Sequence, residues 1–192
     1  MNKILTKQLN INSLSELEYI DAIISSSGYE SRATYFAVNF QVPCKNRIAF
    51  AFNDHTNEAS RLINDKKYCK LGYDIVIQDG DSFERIQEFL DHLLNDSKDI
   101  YNIVIDYSCM TRVWYAAILN YFSLFQEKYN IVNLYFSYSP AEYTPSPKES
   151  VLNKYVGPIE GFSSLSIPQL PTALIIGLGY IPERAFGLAE YL

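Results

Sequence analysis

The apolar positions of this chain fall in short continuous blocks, each followed by a polar turn and a stretch with helical spacing. Residues 21–28 (DAIISSSG) read as a buried strand ending in small polar residues. Residues 30–40 (ESRATYFAVNF) place Ala33, Phe36, Ala37 and Phe40 on one helical face, and Pro43 closes the unit. Residues 47–53 (RIAFAFN) read as a second strand, and the polar residues 57–71 as a helix stopped by Gly72. Residues 73–78 (YDIVIQ) are a third strand. The turn after it, 79–82, offers Ser82 as a cap for a helix over 83–95, whose Ile86, Phe89, Leu90 and Leu93 share a face. Residues 100–105 (IYNIVI) predict a fourth strand and 106–111 a polar turn. Residues 112–128 predict a helix apolar on most sides, and 130–138 (NIVNLYFSY) a fifth strand.

Continuous apolar strands alternating with helices imply a parallel sheet covered on both faces and joined by right-handed crossovers. The expected fold is therefore α/β: a Rossmann-like three-layer sandwich with a mainly parallel sheet of about five strands over residues 1–139. Residues 140–171 carry Pro140, Pro145, Pro147, Pro158, Pro168 and Pro171 and read as a connector. Residues 172–192 (TALIIGLGYIPERAFGLAEYL) start a second α/β unit that echoes the first. Gly179, Tyr180, Arg184 and Ala185 match Gly28, Tyr29, Arg32 and Ala33 after one insertion. The expectation is that this unit is cut short at Leu192 and continues in a longer parent protein, because a helix ending there lacks a cap.

Composition narrows the class. With 48% hydrophobic and 20% charged residues, the 192-residue chain can bury a core. It contains no apolar run of roughly 18 residues, so a membrane span is not expected, and residues 1–9 lack the apolar centre of a secretion signal. A net charge of -6 argues against coating duplex nucleic acid, which demands Lys and Arg against phosphates, but leaves room for a small basic pocket. Cys44, Cys69 and Cys109 are odd in number and widely spaced, which speaks against a disulfide framework or zinc knuckle and suits a reducing cytoplasm. The chain has 16 Tyr and one Trp, a balance that suits half-buried clefts as well as ordinary packing.

In an open parallel sheet, ligands bind beyond the carboxyl ends of the strands. All five strand ends are polar although the strands are apolar. The candidate ligand-binding residues are Ser26, Ser27, Gly28, Tyr29, Glu30 and Arg32 in the first turn, Asn53 and Asp54 in the second, and Asp79 in the third. Asp106, Ser108, Thr111 and Arg112 complete the set in the fourth. In the first turn, small residues let backbone approach an anion and Arg32 offers a bidentate contact; a capped turn with a surface arginine is the competing reading. At the fourth, either Ser108 caps the following helix, or Thr111 and Arg112 contact a phosphate. Cys109 at a helix start raises a nucleophile paired with His55, and a serine analogue of that pair stands equally open. Five acids at the turns, Glu30, Asp54, Asp79, Asp81 and Asp106, suggest Mg²⁺ or plain helix capping, and no metal site is assigned. The segment GLG at 177–179 is followed by Pro182 where a dinucleotide fingerprint has glycine, so neither NAD nor FAD is inferred and the cofactor stays open.

Residues 103–114 (IVIDYSCMTRVW) resemble a signature of the CRISPR-associated Rossmann-fold ligand-sensing domains of prokaryotic defence proteins: an apolar strand, Asp or Asn, T-G-G-T-K, then an apolar helix. Ser108 to Arg112 occupy the five positions, with Ser for Thr, Arg for Lys and both glycines replaced. The resemblance spans residues 21–139 in element order and this turn alone in residues. It implies a domain that binds cyclic oligonucleotides in antiviral signalling, commonly as a homodimer. It further implies that Thr111 and Arg112 touch ligand phosphates and that Ser27 to Tyr29 line the pocket. Three functions follow as expectations. One is a sensor for a nucleotide or other phosphate-bearing ligand. Another is an enzyme on such a ligand, using Asp106, Glu30 or Cys109. The third is a protein-interaction fragment built on the Tyr- and Pro-rich residues 135–155.

Overall fold

The structure is a computed structural model; it describes residues 5–9, 17, 19–54, 56–94, 98–124, 128–129, 131–142, 157–163, 169–171, 173 and 175–177. Strands β1 (Ile20–Ser27), β2 (Cys44–Phe52), β3 (Asp74–Gln78), β4 (Ile100–Asp106) and β5 (Ile131–Ser137) form one sheet in the order β3-β2-β1-β4-β5. Every neighbouring pair is parallel. The expected Rossmann-like α/β fold is what the chain adopts.

Helices α1 (Tyr35–Asn39) and α2 (Ala59–Lys70) cover one face of the sheet, and α3 (Glu84–Leu93) and α4 (Arg112–Leu124) the other. Alternation along each strand divides the core accordingly, since successive side chains point to opposite faces. Ala22 and Ile24 of β1 meet Ile103 and Ile105 of β4 and the buried Trp114, Ala117 and Tyr121 of α4. Ile23 and Val104 face the other way, against Phe36, Ala37 and Tyr68. Each large apolar side chain removed from water contributes roughly 1.5–3 kcal/mol, so both layers are needed to hold the sheet.

Two local expectations change. Residues 30–40 do not form one helix: Ser31–Thr34 is a 3-10 turn leading into the short α1. Glu30 O accepts the Ala33 N–H at 3.1 Å in that turn, and side chains of α2 bond to the turn's carbonyls as well. Asn64 Nδ2 donates to Glu30 O at 2.9 Å and the Tyr68 hydroxyl donates to Ala33 O. Ser82 does not cap α3, whose first residue follows Phe83 without a side-chain cap. Residues 1–141 and 159–162 form one compact unit, and 142–158 with 163–192 a second. The strand–turn–helix expected over 172–192 lies outside the described residues apart from isolated positions. No helix among the described residues is long and apolar enough to cross a membrane.

Candidate functional site

The chain runs outward from β1 to β2 and β3, then returns to β4 on the other side of β1. The strand order therefore reverses between β1 and β4, and the carboxyl ends of those two strands open a crevice where such sheets take ligands. A cleft of about 270 Å³ lies there, lined by Gly28, Tyr29, Glu30, Phe52, Asp54, Cys109 and Thr111. The topology thus brings the turn after β1, the end of β2 and the turn after β4 to one place.

Phe52 is the aromatic floor. Its ring stacks on Trp114 with centroids 4.5 Å apart, and the Trp114 indole N–H donates to Asp79 O at 2.9 Å. A Cβ on Gly28 would lie 3.6 Å from the Phe52 ring, so the small residue brings the backbone of the first turn close over the floor. Gly80 is tighter: a Cβ there would meet Thr111 Cγ2 at 3.2 Å and Phe52 at 3.4 Å.

The walls are fixed from α2. Arg61, Asn64, Asp65 and Tyr68 stand at i, i+3, i+4 and i+7 and form one polar stripe facing the sheet. Arg61 is 2% exposed; its Nε donates to Asp65 Oδ1 at 2.9 Å and its guanidinium to Phe52 O at 2.6 Å. Ser27 Oγ donates to the same Asp65 oxygen at 2.5 Å. Asn64 Nδ2 donates to both Gly28 O and Glu30 O at 2.9 Å. Most buried polar groups in folded proteins are paired, and here the pairs hold the ends of β1 and β2 in register. Apolar periodicity does not reveal this stripe, because its members are polar. The same spacing in polar residues was the available signal.

Asp106 ends β4 and is 1% exposed. Its carboxylate accepts from the Ser108 hydroxyl and, at 3.2 Å, from the Ser108 N–H. Burial pushes its pKa up to about 6, against the opposing pull of the Ser108 hydrogen bonds and the Arg32 charge. Ser108 Oγ in turn accepts the Ser139 N–H at 2.7 Å, just beyond β5. Arg32 extends the chain of contacts: its Nε donates to Glu30 Oε2 at 2.7 Å, its Nη1 donates to Ser139 O at 2.8 Å, and its guanidinium lies 5.4 Å from the Tyr138 ring centroid. Glu30 holds that guanidinium still more firmly protonated. Burial, with the Glu30 charge adding, raises the Cys109 thiol to about 12, so it is protonated at neutral pH and not a nucleophilic thiolate. His55, its suggested partner, lies outside the described residues.

The thirteen sequence candidates therefore divide. Gly28, Tyr29, Glu30, Asp54 and Thr111 line the cleft. Ser27, Arg32, Asp106 and Ser108 form the hydrogen-bonded frame behind it, while Ser26 is buried at the end of β1. Asn53 and Asp79 bond to each other between the second and third turns. The Thr111 hydroxyl is spent locally: it donates to Gly80 O at 2.7 Å and accepts the Trp114 N–H at 3.2 Å, capping α4. Ser108 is not that cap. Arg112 is exposed and does not line the cleft. Among the described residues no three His, Cys, Asp or Glu side chains are grouped to share a metal ion. Both charged side chains on the lining, Glu30 and Asp54, are carboxylates. Comparison with protein-family models, curated proteins and solved structures gives no match to this chain.

Proposed function

We propose that the chain is a ligand-sensing module that takes the nucleoside part of a nucleotide in the cleft between β1 and β4. The carrying observation is the character of the lining: an aromatic floor, Phe52, beside the carboxylates Glu30 and Asp54, with no Lys or Arg side chain among the residues named. Such a surface stacks a flat ring and accepts hydrogen bonds from hydroxyl or amino groups. Asp54 stands just past β2, the place from which an acid receives ribose hydroxyls in dinucleotide-binding sheets. A cleft of about 270 Å³ falls just below the roughly 300–1,000 Å³ of cavities that enclose drug-sized ligands. It suits one nucleoside at a time. The phosphate of such a ligand projects outward, where Arg112, next along the chain from Thr111, supplies a cation. The similarity of residues 103–114 to antiviral sensor domains supports the sensor class, and a defence role and a homodimer rest on that similarity.

Calorimetric titration with the four common ribonucleosides, their 5′-monophosphates and cyclic oligonucleotides tests the reading. Heat is expected from at least one nucleoside, with Asp54→Ala weakening it roughly tenfold, the size of one lost hydrogen bond to a charged group. Silence across the whole panel overturns the reading. An enzyme acting on the same ligand class is favoured by Asp106, whose pKa near 6 beside a cleft is the kind of perturbation active sites use. Chromatography showing no product from any of the monophosphates would remove that second reading.

A further inference from the structure

The Ser139 peptide is gripped at both ends by side chains from the cleft's own turns. Its N–H is held by Ser108 Oγ at 2.7 Å and its carbonyl by Arg32 Nη1 at 2.8 Å. Ser139 is buried, and it stands two residues past the end of β5, where the chain leaves the sheet. Arg32 gives its Nε to Glu30, which lines the cleft. One planar guanidinium therefore spans from a cleft-wall carboxylate to the departing backbone. Its planar fork fixes both contacts in one set geometry, whereas an ammonium group holds its donors in no fixed plane. The Tyr138 ring lies beside the same guanidinium.

We propose that Arg32 reports occupancy of the cleft to the chain beyond β5. The inference rests on the proposed ligand reading. Glu30 is the exposed end of the relay, its side chain 41% accessible against 18% for Arg32. A ligand hydroxyl or amino group that donates to the Glu30 carboxylate fixes it in the position that pairs with Arg32. Arg32 then keeps its hold on Ser139 O, and the departing chain is tightened. Coupling of this kind is reciprocal: whatever tightens Ser139 raises affinity in the cleft by the same factor.

Amide hydrogen exchange at Ser139 in the full chain reads the grip. Glu30→Gln and Arg32→Gln are each expected to speed exchange about tenfold, because the N–H held by Ser108 opens more readily once Arg32 lets go of the carbonyl of the same residue. Lys67→Ala, on the exposed face of α2 and outside both the cleft and the relay, should leave it unchanged. Arg32→Lys keeps the charge without the fork, protects against simple misfolding and should still speed exchange. Saturating adenosine, or whichever common ribonucleoside binds, is expected to slow exchange in the wild-type chain. Its Kd in Arg32→Gln should rise by the factor by which it slows Ser139 in the wild type. Unchanged exchange in Glu30→Gln, Arg32→Gln and Arg32→Lys overturns the inference with or without ligand. A nucleoside that binds without altering Ser139 exchange also overturns it and leaves the proposed function standing. If no nucleoside binds, the ligand reading fails, and the relay fails as a ligand readout even where the three variants speed exchange.

Discussion

Two buried aspartates sit at opposite ends of the two neighbouring strands β1 and β4, and they are treated in opposite ways. Asp21, 4% exposed, lies near the start of β1; its carboxylate receives Lys98 Nζ and, at 2.9 Å, the Asn102 N–H of β4. Asp106, 1% exposed, ends β4 and, among the described residues, receives the hydroxyl and N–H of Ser108. A buried charge with a cation and a backbone donor is a fastening between strands. A buried carboxyl with neutral donors and a more distant arginine is left near its titration point. The amino edge of the sheet is thus tied by an ion pair, and the carboxyl edge holds a carboxyl raised by its burial. The same residue type carries different chemistry because of what the fold places around it.

The contrast breaks most sharply with pH. Asp106 is raised from an ordinary 3.8 to about 6, so the folded chain holds an extra proton between those values. That contribution to stability is full below the unfolded value and is lost as pH rises through the folded one. A difference of about two units corresponds to about 3 kcal/mol. Asp106→Asn, which keeps an acceptor for Ser108, is expected to remove this slope and to be more stable than wild type by up to about 3 kcal/mol at pH 7.5. Urea unfolding between pH 4 and 7.5 checks it; parallel pH profiles for the two proteins would show that Asp106 is solvated.

The same substitution at the other end has the opposite sign. Asp21→Asn keeps an acceptor for the Asn102 N–H but removes the charge opposite Lys98. A loss of about 2 kcal/mol at pH 7 is expected, as for hydrogen bonds to charged groups. If Asp21→Asn were neutral by chemical denaturation, the fastening role of the amino edge would be gone.

Thr111→Val separates capping from ligand contact in the turn after β4. The variant loses the acceptor for the Trp114 N–H and the donor to Gly80 O. Thermal unfolding should report a cost of about 1 kcal/mol, the typical value of an N-cap. Unchanged stability with weakened nucleoside binding would restore Thr111 as a ligand contact. Arg112→Ala should be the mildest, within about 0.5 kcal/mol, because the side chain is exposed and away from the frame. A larger loss of stability would reveal a structural pairing for Arg112.

What the sequence determined by itself is what depends on local pattern. Continuous apolar blocks separated by helical stretches dictate parallel strands buried on both faces, and the polar residues after each block mark the carboxyl edge. Gly28, Glu30, Asp54, Asp106 and Ser108 were visible as candidates for that reason. Tertiary structure decided which of them meet. Only the order β3-β2-β1-β4-β5 brings the turn of residues 28–30 beside residues 109–111, over Phe52. Only the packing of α2 turns Arg61, Asn64 and Asp65 inward as the frame of the cleft. The hydroxyl of Thr111 and the guanidinium of Arg32 looked open to a phosphate in the sequence. In the fold the first caps α4 and the second joins Glu30 to Ser139. Hydrogen-bond partners and burial are long-range quantities: Arg32 and Ser139 are 107 residues apart along the chain and 2.8 Å apart in space.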